Sequence, residues 1–270
     1  MNVRRGFTLA ELLVATVLTS VVATAALRVL LRQQQLTGQL AGRARANTTL
    51  RIAAAVLRAE LRAVSTADPL SLDLLELGPS AIAYRATRGL SIICRAPDAA
   101  GRFVVYQDPV WALRGTDPAR DSLLLFIDND PGTDTDDRWL ARNLVQVSGD
   151  TCPNGTPGTA YDTGAGAIPG VVVGGPVSRF EIVRIRLYTG GDGARWLGLQ
   201  TTSKGTGWNP IQPVVGPLAV DGLQFSYLDA GGAAVLDPSR VAGVGIVLTA
   251  SAGGGAAVGA VTIAALRNRG

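Results

Sequence analysis

An apolar run with one carboxylate inside it constrains this chain more than any other feature. From Phe7 to Leu27 the sequence reads FTLAELLVATVLTSVVATAAL, 21 residues whose single charge is Glu11. As a helix rising 1.5 Å per residue it is about 31 Å long, enough to cross the hydrocarbon core of a bilayer. Ahead of it, Arg4 and Arg5 hold the short polar N-terminus on the cytoplasmic side, so the rest of the chain lies outside. Arg28 and Arg32 follow, where their stems reach the far interface. A carboxylate in a membrane span is costly and is usually paired and functional. Cleavage after Gly6 would supply the pair, because the new α-amino group of Phe7 is a cation. In a bundle of parallel helices, Glu11 of one subunit neutralises the Phe7 ammonium of its neighbour. Either charge alone costs more than the pair. The run therefore favours an assembled state with a fixed axial stagger.

The string Arg5-Gly6-Phe7-Thr8-Leu9-Ala10-Glu11-Leu12-Leu13-Val14 resembles the processing and methylation site of type IV pilins and type II secretion pseudopilins. The resemblance implies that a prepilin peptidase cuts between Gly6 and Phe7 and N-methylates Phe7. It also implies that Glu11 serves assembly with other pilins or pseudopilins on an inner-membrane platform. Two plainer readings stand beside it. A secretory signal peptide would end at Ala23-Thr24-Ala25, and an unprocessed anchor would keep Met1. N-terminal sequencing separates the three, with Phe7, Ala26 or Met1 as the first residue.

The chain then divides into a leader over 1–6, a transmembrane and filament-core helix over 7–31, an amphipathic continuation over 32–68 and a β-rich head over 69–270. No Pro precedes Pro69, and one helix is expected from Phe7 to about Val64. Gly38 and Gly42 are weak candidates for interrupting it. Leu50, Ala54, Leu57, Leu61 and Val64 form an apolar stripe suited to a sheet, with Arg43, Arg45, Arg51, Arg58 and Arg62 mostly on the other faces. Beyond Pro69, short strands are expected at 82–85, 91–94, 103–107, 122–127, 143–147, 180–188, 196–201, 223–228, 244–249 and 258–266. The stretch from Thr151 to Gly175, rich in Gly, Pro and Thr, reads as a long surface loop. Val220 to Asp229, Val241 to Thr249 and Ala260 to Arg269 resemble, more loosely, the closing strands of J-type pseudopilins and W-type minor pilins. The fold class expected is α+β, a long N-terminal helix packed on antiparallel sheet.

Composition narrows the function classes. There is no His, which removes the commonest general base and metal ligand, and no nucleophile–base pair can be named. An enzyme is not expected. The formal charge of +4 falls to about +2 without Arg4 and Arg5, and no basic, aromatic-interleaved patch supports nucleic-acid binding. Cys94 and Cys152 are either two buried thiols or, outside the cytoplasm, a disulfide closing a loop worth ~4 kcal/mol. Asp128, Asp130, Asp134, Asp136 and Asp137 place five carboxylates in ten residues, a calcium candidate without EF-hand spacing. A solvated acidic turn balanced by Arg138 is the alternative. Gly174-Gly175-Pro176, Gly190-Gly191-Asp192-Gly193 and Gly253-Gly254-Gly255 lack phosphate-loop endings and read as turns. The function expected is a minor pilin or pseudopilin that primes or caps a filament, with its head on the periplasmic side. The alternative is a membrane-tethered binding module, an adhesin or DNA-uptake subunit, shown by the same machinery.

Overall fold

The computed structural model describes residues 9–64, 73–130, 132–133, 135–202, 207–252 and 256–266. One helix, α1 (Leu9–Leu61), runs unbroken for 53 residues. Its sequence is mostly Ala, Leu, Val, Arg and Gln, and without Pro nothing stops the hydrogen-bond ladder. In the apolar stretch, Thr16, Thr19, Ser20 and Thr24 donate their hydroxyls to carbonyls three or four residues back. Those polar groups are satisfied inside the helix, as hydrocarbon surroundings demand. None of the span is buried against the rest of the chain. Only the second half docks, through Ala46, Leu50, Ala53, Leu57 and Leu61. Val64 is buried beyond the last turn and Ala54 is half-buried, while Arg43, Arg45, Arg51, Arg58 and Arg62 stay exposed.

Gly42 does not interrupt the helix. A Cβ there would lie 2.0 Å from the Ala252 carbonyl oxygen, so glycine is what lets the helix backbone touch the head at that point. Gly38 has nothing within 4 Å.

The head is antiparallel throughout. In chain order its strands are β1 (Leu74–Leu77), β2 (Ala81–Arg95), β3 (Arg102–Tyr106), β4 (Trp111–Ala112), β5 (Ser122–Ile127), β6 (Arg138–Asn143) and β7 (Gln146–Thr151). There follow β8 (Pro157–Asp162), β9 (Pro176–Thr189), β10 (Arg195–Thr201), β11 (Gln212–Leu218), β12 (Leu223–Leu228), β13 (Gly243–Ser251) and β14 (Ala257–Ala265). Eleven strands form one sheet, ordered β11-β10-β9-β2-β3-β8-β7, with β1 and β4 on β2 and the β5–β6 hairpin on β9. β12, β13 and β14 form a second sheet. The fold is α+β, a long apolar N-terminal helix against antiparallel sheet, and so pilin-like.

Several expectations change. The segments at 82–85 and 91–94 belong to one strand, β2, carried through by a bulge at Arg88, where the pairing with β9 skips a residue. The strand expected at 143–147 is instead a break, with Leu144 buried between β6 and β7. The stretch from Thr151 to Gly175 is not one loop. It holds β8, whose Ala160 and Tyr161 are buried between β3 and β7, and it buries Ile168 and Val171. Gly/Thr-rich composition concealed this strand, which is held between β3 and the border strand β7. Gly253 to Gly255 lie outside the described residues.

Two large apolar cores result, beside a small cluster of Cys94, Val104, Cys152 and Ala160. The first joins α1 to β2, β9, β10 and the second sheet through Leu57, Leu61, Tyr84, Val183, Ile185, Leu197 and Ile246. The second lies toward the β3–β8 side and includes Ile93, Phe103, Leu123, Leu125, Ile127 and Tyr161.

Candidate functional site

On β9, Val177, Arg179, Glu181, Val183 and Ile185 are all buried. Alternation puts them on one face of the sheet. That face begins in the second core at Val177 and ends in the first core at Val183 and Ile185. Between them lie two charges, and a buried charge requires partners. The bulge at Arg88 supplies one, because its guanidinium Nε donates to Glu181 Oε1. Arg114, from the segment after β4, donates to Glu181 Oε2 at 3.2 Å and forks onto Asp121 at 2.7 and 3.2 Å. Asp121 is fully buried, and it also accepts the Asp117 N–H at 2.8 Å and an Arg179 N–H at 3.5 Å. Gly89 leaves the room: a Cβ there would lie 2.4 Å from Arg179 Nη2.

The helix joins the same network. Glu60, in the last turn of α1, accepts the Tyr84 hydroxyl at 2.9 Å and stands 3.6 Å from Arg88 Nη1. Burial pushes the Tyr84 phenol well above its usual value, and the Glu60 charge adds to the rise. Burial works to lower Arg114, but the hydrogen bond and charge of Asp121 outweigh it, and its guanidinium is held more firmly protonated. Three arginines and three acids thus connect the stalk to the seam between the cores. Sequence reading missed all six. The one available signal was charge at positions of a strand pattern that should have faced inward.

The residues singled out from sequence fare differently. Glu11 lies in the first described turn of α1, on an exposed stretch. Gly6, Phe7 and the leader are outside the described residues. Cys94, near the end of β2, is joined to Cys152, just after β7, by a disulfide with Cα atoms 5.6 Å apart. This ties β2 to the far border of the large sheet.

The acidic turn between β5 and β6 is largely bonded to itself. Asp136 Oδ2 accepts the Asn129 and Asp130 N–H groups at 3.2 and 2.9 Å, and Asp130 Oδ1 accepts the Gly132 N–H. Asp128 Oδ1 and Asp136 Oδ1 are buried without a hydrogen-bond partner among the described residues. Among the described residues, no three acids or cysteines gather as metal ligands would. Asp134 lies outside those residues.

Comparison with known families matches residues 1–27 to the prokaryotic N-terminal methylation motif. No curated protein and no solved structure matches the chain. The matched residues contain Gly6, Phe7 and Glu11 and run into the bare half of α1. That half is long and apolar enough to cross a membrane once and fits a single-pass anchor. With this motif on a helix that docks its other half on antiparallel sheet, the chain is similar to type IV pilins at its N-terminus and pilin-like in fold.

Proposed function

We propose that the protein is a minor pilin or pseudopilin, a structural rather than catalytic subunit that primes or caps a type IV pilus-like or type II secretion filament. The observation that carries the reading is Glu11, a charge within the apolar stretch of α1 that the head leaves uncovered. Prepilin peptidase frees and methylates Phe7, the head stands on the periplasmic side, and Glu11 meets the Phe7 ammonium of an adjoining helix. The loose likeness of the closing strands to J-type and W-type subunits supports a minor position.

Glu11→Leu is the test. The variant should insert in the membrane like the parent and fail to enter filaments assembled with its partner subunits, and mature parent protein should begin with methylated Phe7. Normal incorporation of Glu11→Leu, or a native chain that begins at Met1 or Ala26, removes the reading.

A second reading, a tethered binding module, draws on Val110, Trp111 and Leu113. They are exposed on a segment whose Arg114 is clamped by Asp121 and Glu181. Activity retained by a chain lacking its first 34 residues would favour it. Calcium at the acidic turn is proposed on the two unpartnered oxygens of Asp128 and Asp136. Calorimetric titration without heat removes it.

A further inference from the structure

A sheet edge presents a row of unpaired N–H and C=O groups, and proteins blunt it with proline, charge or a cover. The long borders of this head follow that rule, with one exception. β11 contains Pro213 and Pro217, and its register against β10 shifts twice. β7 carries Asp150, paired with Arg95 and Arg102, and β6 carries Arg138 and Arg142. Beside β12 other backbone takes the groups up: the Phe225 N–H donates to the Pro79 carbonyl, and the Tyr227 carbonyl accepts from Val235.

β14 has none of these devices. Its nine residues, AVGAVTIAA, include no proline and no charge, and among the described residues it pairs with β13 alone. β12 and β13 are uncharged as well. Val261 and Ile263 are 76% and 60% exposed, and Val247, opposite Val261, is 38% exposed.

Beside this edge runs a groove of about 390 Å³, with Gly259 to Thr262 on one wall and Asn47, Arg51 and Arg58 of α1 on the other. Arg51 and Arg58 stand two turns apart on one flank, a separation of about 10 Å. Both are exposed, and neither has an ion pair among the described residues. The groove therefore combines an open β-edge with unneutralised positive charge.

We propose that it receives an extended, carboxylate-bearing segment of a partner polypeptide, which adds to β14 as a fourth strand and sets its acids against Arg51 and Arg58. Main-chain pairing to the edge supplies binding that does not depend on side chains, and the arginine flank selects which strand enters. A second copy of this chain fits poorly, because pairing two β14 edges sets one arginine flank toward the other. The inference makes no use of the N-terminal motif and stands apart from the filament reading.

The test uses the full chain in detergent micelles and two labelled peptides, one alternating Val with Glu and one alternating Val with Lys. The Glu peptide should bind, slow amide exchange across Ala257–Ala265, and lose affinity by about tenfold or more in the exposed-site double variant Arg51→Glu/Arg58→Glu. The Lys peptide should bind only that variant. Equal binding of both peptides, binding that leaves β14 exchange unchanged, or a dimer of the protein that excludes the peptide would each overturn the proposal.

Discussion

At Gly42 the missing side chain is a contact, since the Ala252 carbonyl occupies the space a Cβ would take, whereas at Gly38 it is only slack in an exposed helix. The two glycines sit four residues apart and sequence gives no ground to separate them. Their substitutions should differ in sign. Gly42→Ala forces helix and head apart and should cost about 1–3 kcal/mol. Gly38→Ala relieves the entropy of a helical glycine and should add about 0.5–1 kcal/mol. Urea unfolding of the two variants in micelles checks this, and a gain in both would show that the close approach at Ala252 does not exist.

At the scale of elements, the β3–β8–β7 border is held by carboxylates that acid will switch off. The Thr151 N–H holds the Asp150 carboxyl below its ordinary value of 3.8, against some opposing burial, with help from Arg95 and Arg102. The Arg102 N–H does the same for Asp98, in the turn between β2 and β3. Folded values below unfolded ones mean stabilisation that is complete above the ordinary carboxylate range and is lost as pH falls through the folded values. Thermal melting should therefore drop as pH falls below about 4, and less steeply in Asp150→Asn. Identical slopes for parent and variant would clear Asp150 of any role. Much at this scale was legible beforehand. β5 and β12 fall where alternation put them, and the buried face of α1 follows its apolar spacing. β8 and β7 were hidden because Thr, Gly and Ser line them, and the pair is placed through β3, which is distant in sequence. The join of two segments into β2 depended on a bulge, which pattern alone does not reveal.

For the whole molecule, the charges between the two cores decide whether head and stalk behave as one body. Asp121 is fully buried and accepts from both Arg114 and Arg179, so removing it takes from the buried Arg179 its carboxylate partner and leaves Arg114 to Glu181 alone among the acids. Asp121→Ala should destabilise the protein by about 3–5 kcal/mol. Arg120→Ala, which breaks only the exposed pair with Asp117, should cost less than about 1 kcal/mol. Comparable losses in a denaturant series would mean that the buried network contributes no more than a surface contact. The motif at the N-terminus was legible because it is local and is written in contiguous residues. The network was not, because its six members come from α1, β2, β9 and the loop between β4 and β5, and pairing across those distances exists only once the sheet has formed. The uncovered half of α1 has one further consequence. From Leu9 to Leu40 its leucines and valines face outward with no part of the head to shield them. Water is therefore a poor resting place for this stalk, and on the proposed reading it leaves lipid only as fast as other apolar helices replace the oil around it. On the proposed filament reading, extraction and polymerisation are then one event, and a lone subunit pulled free would aggregate before it could wait for a neighbour.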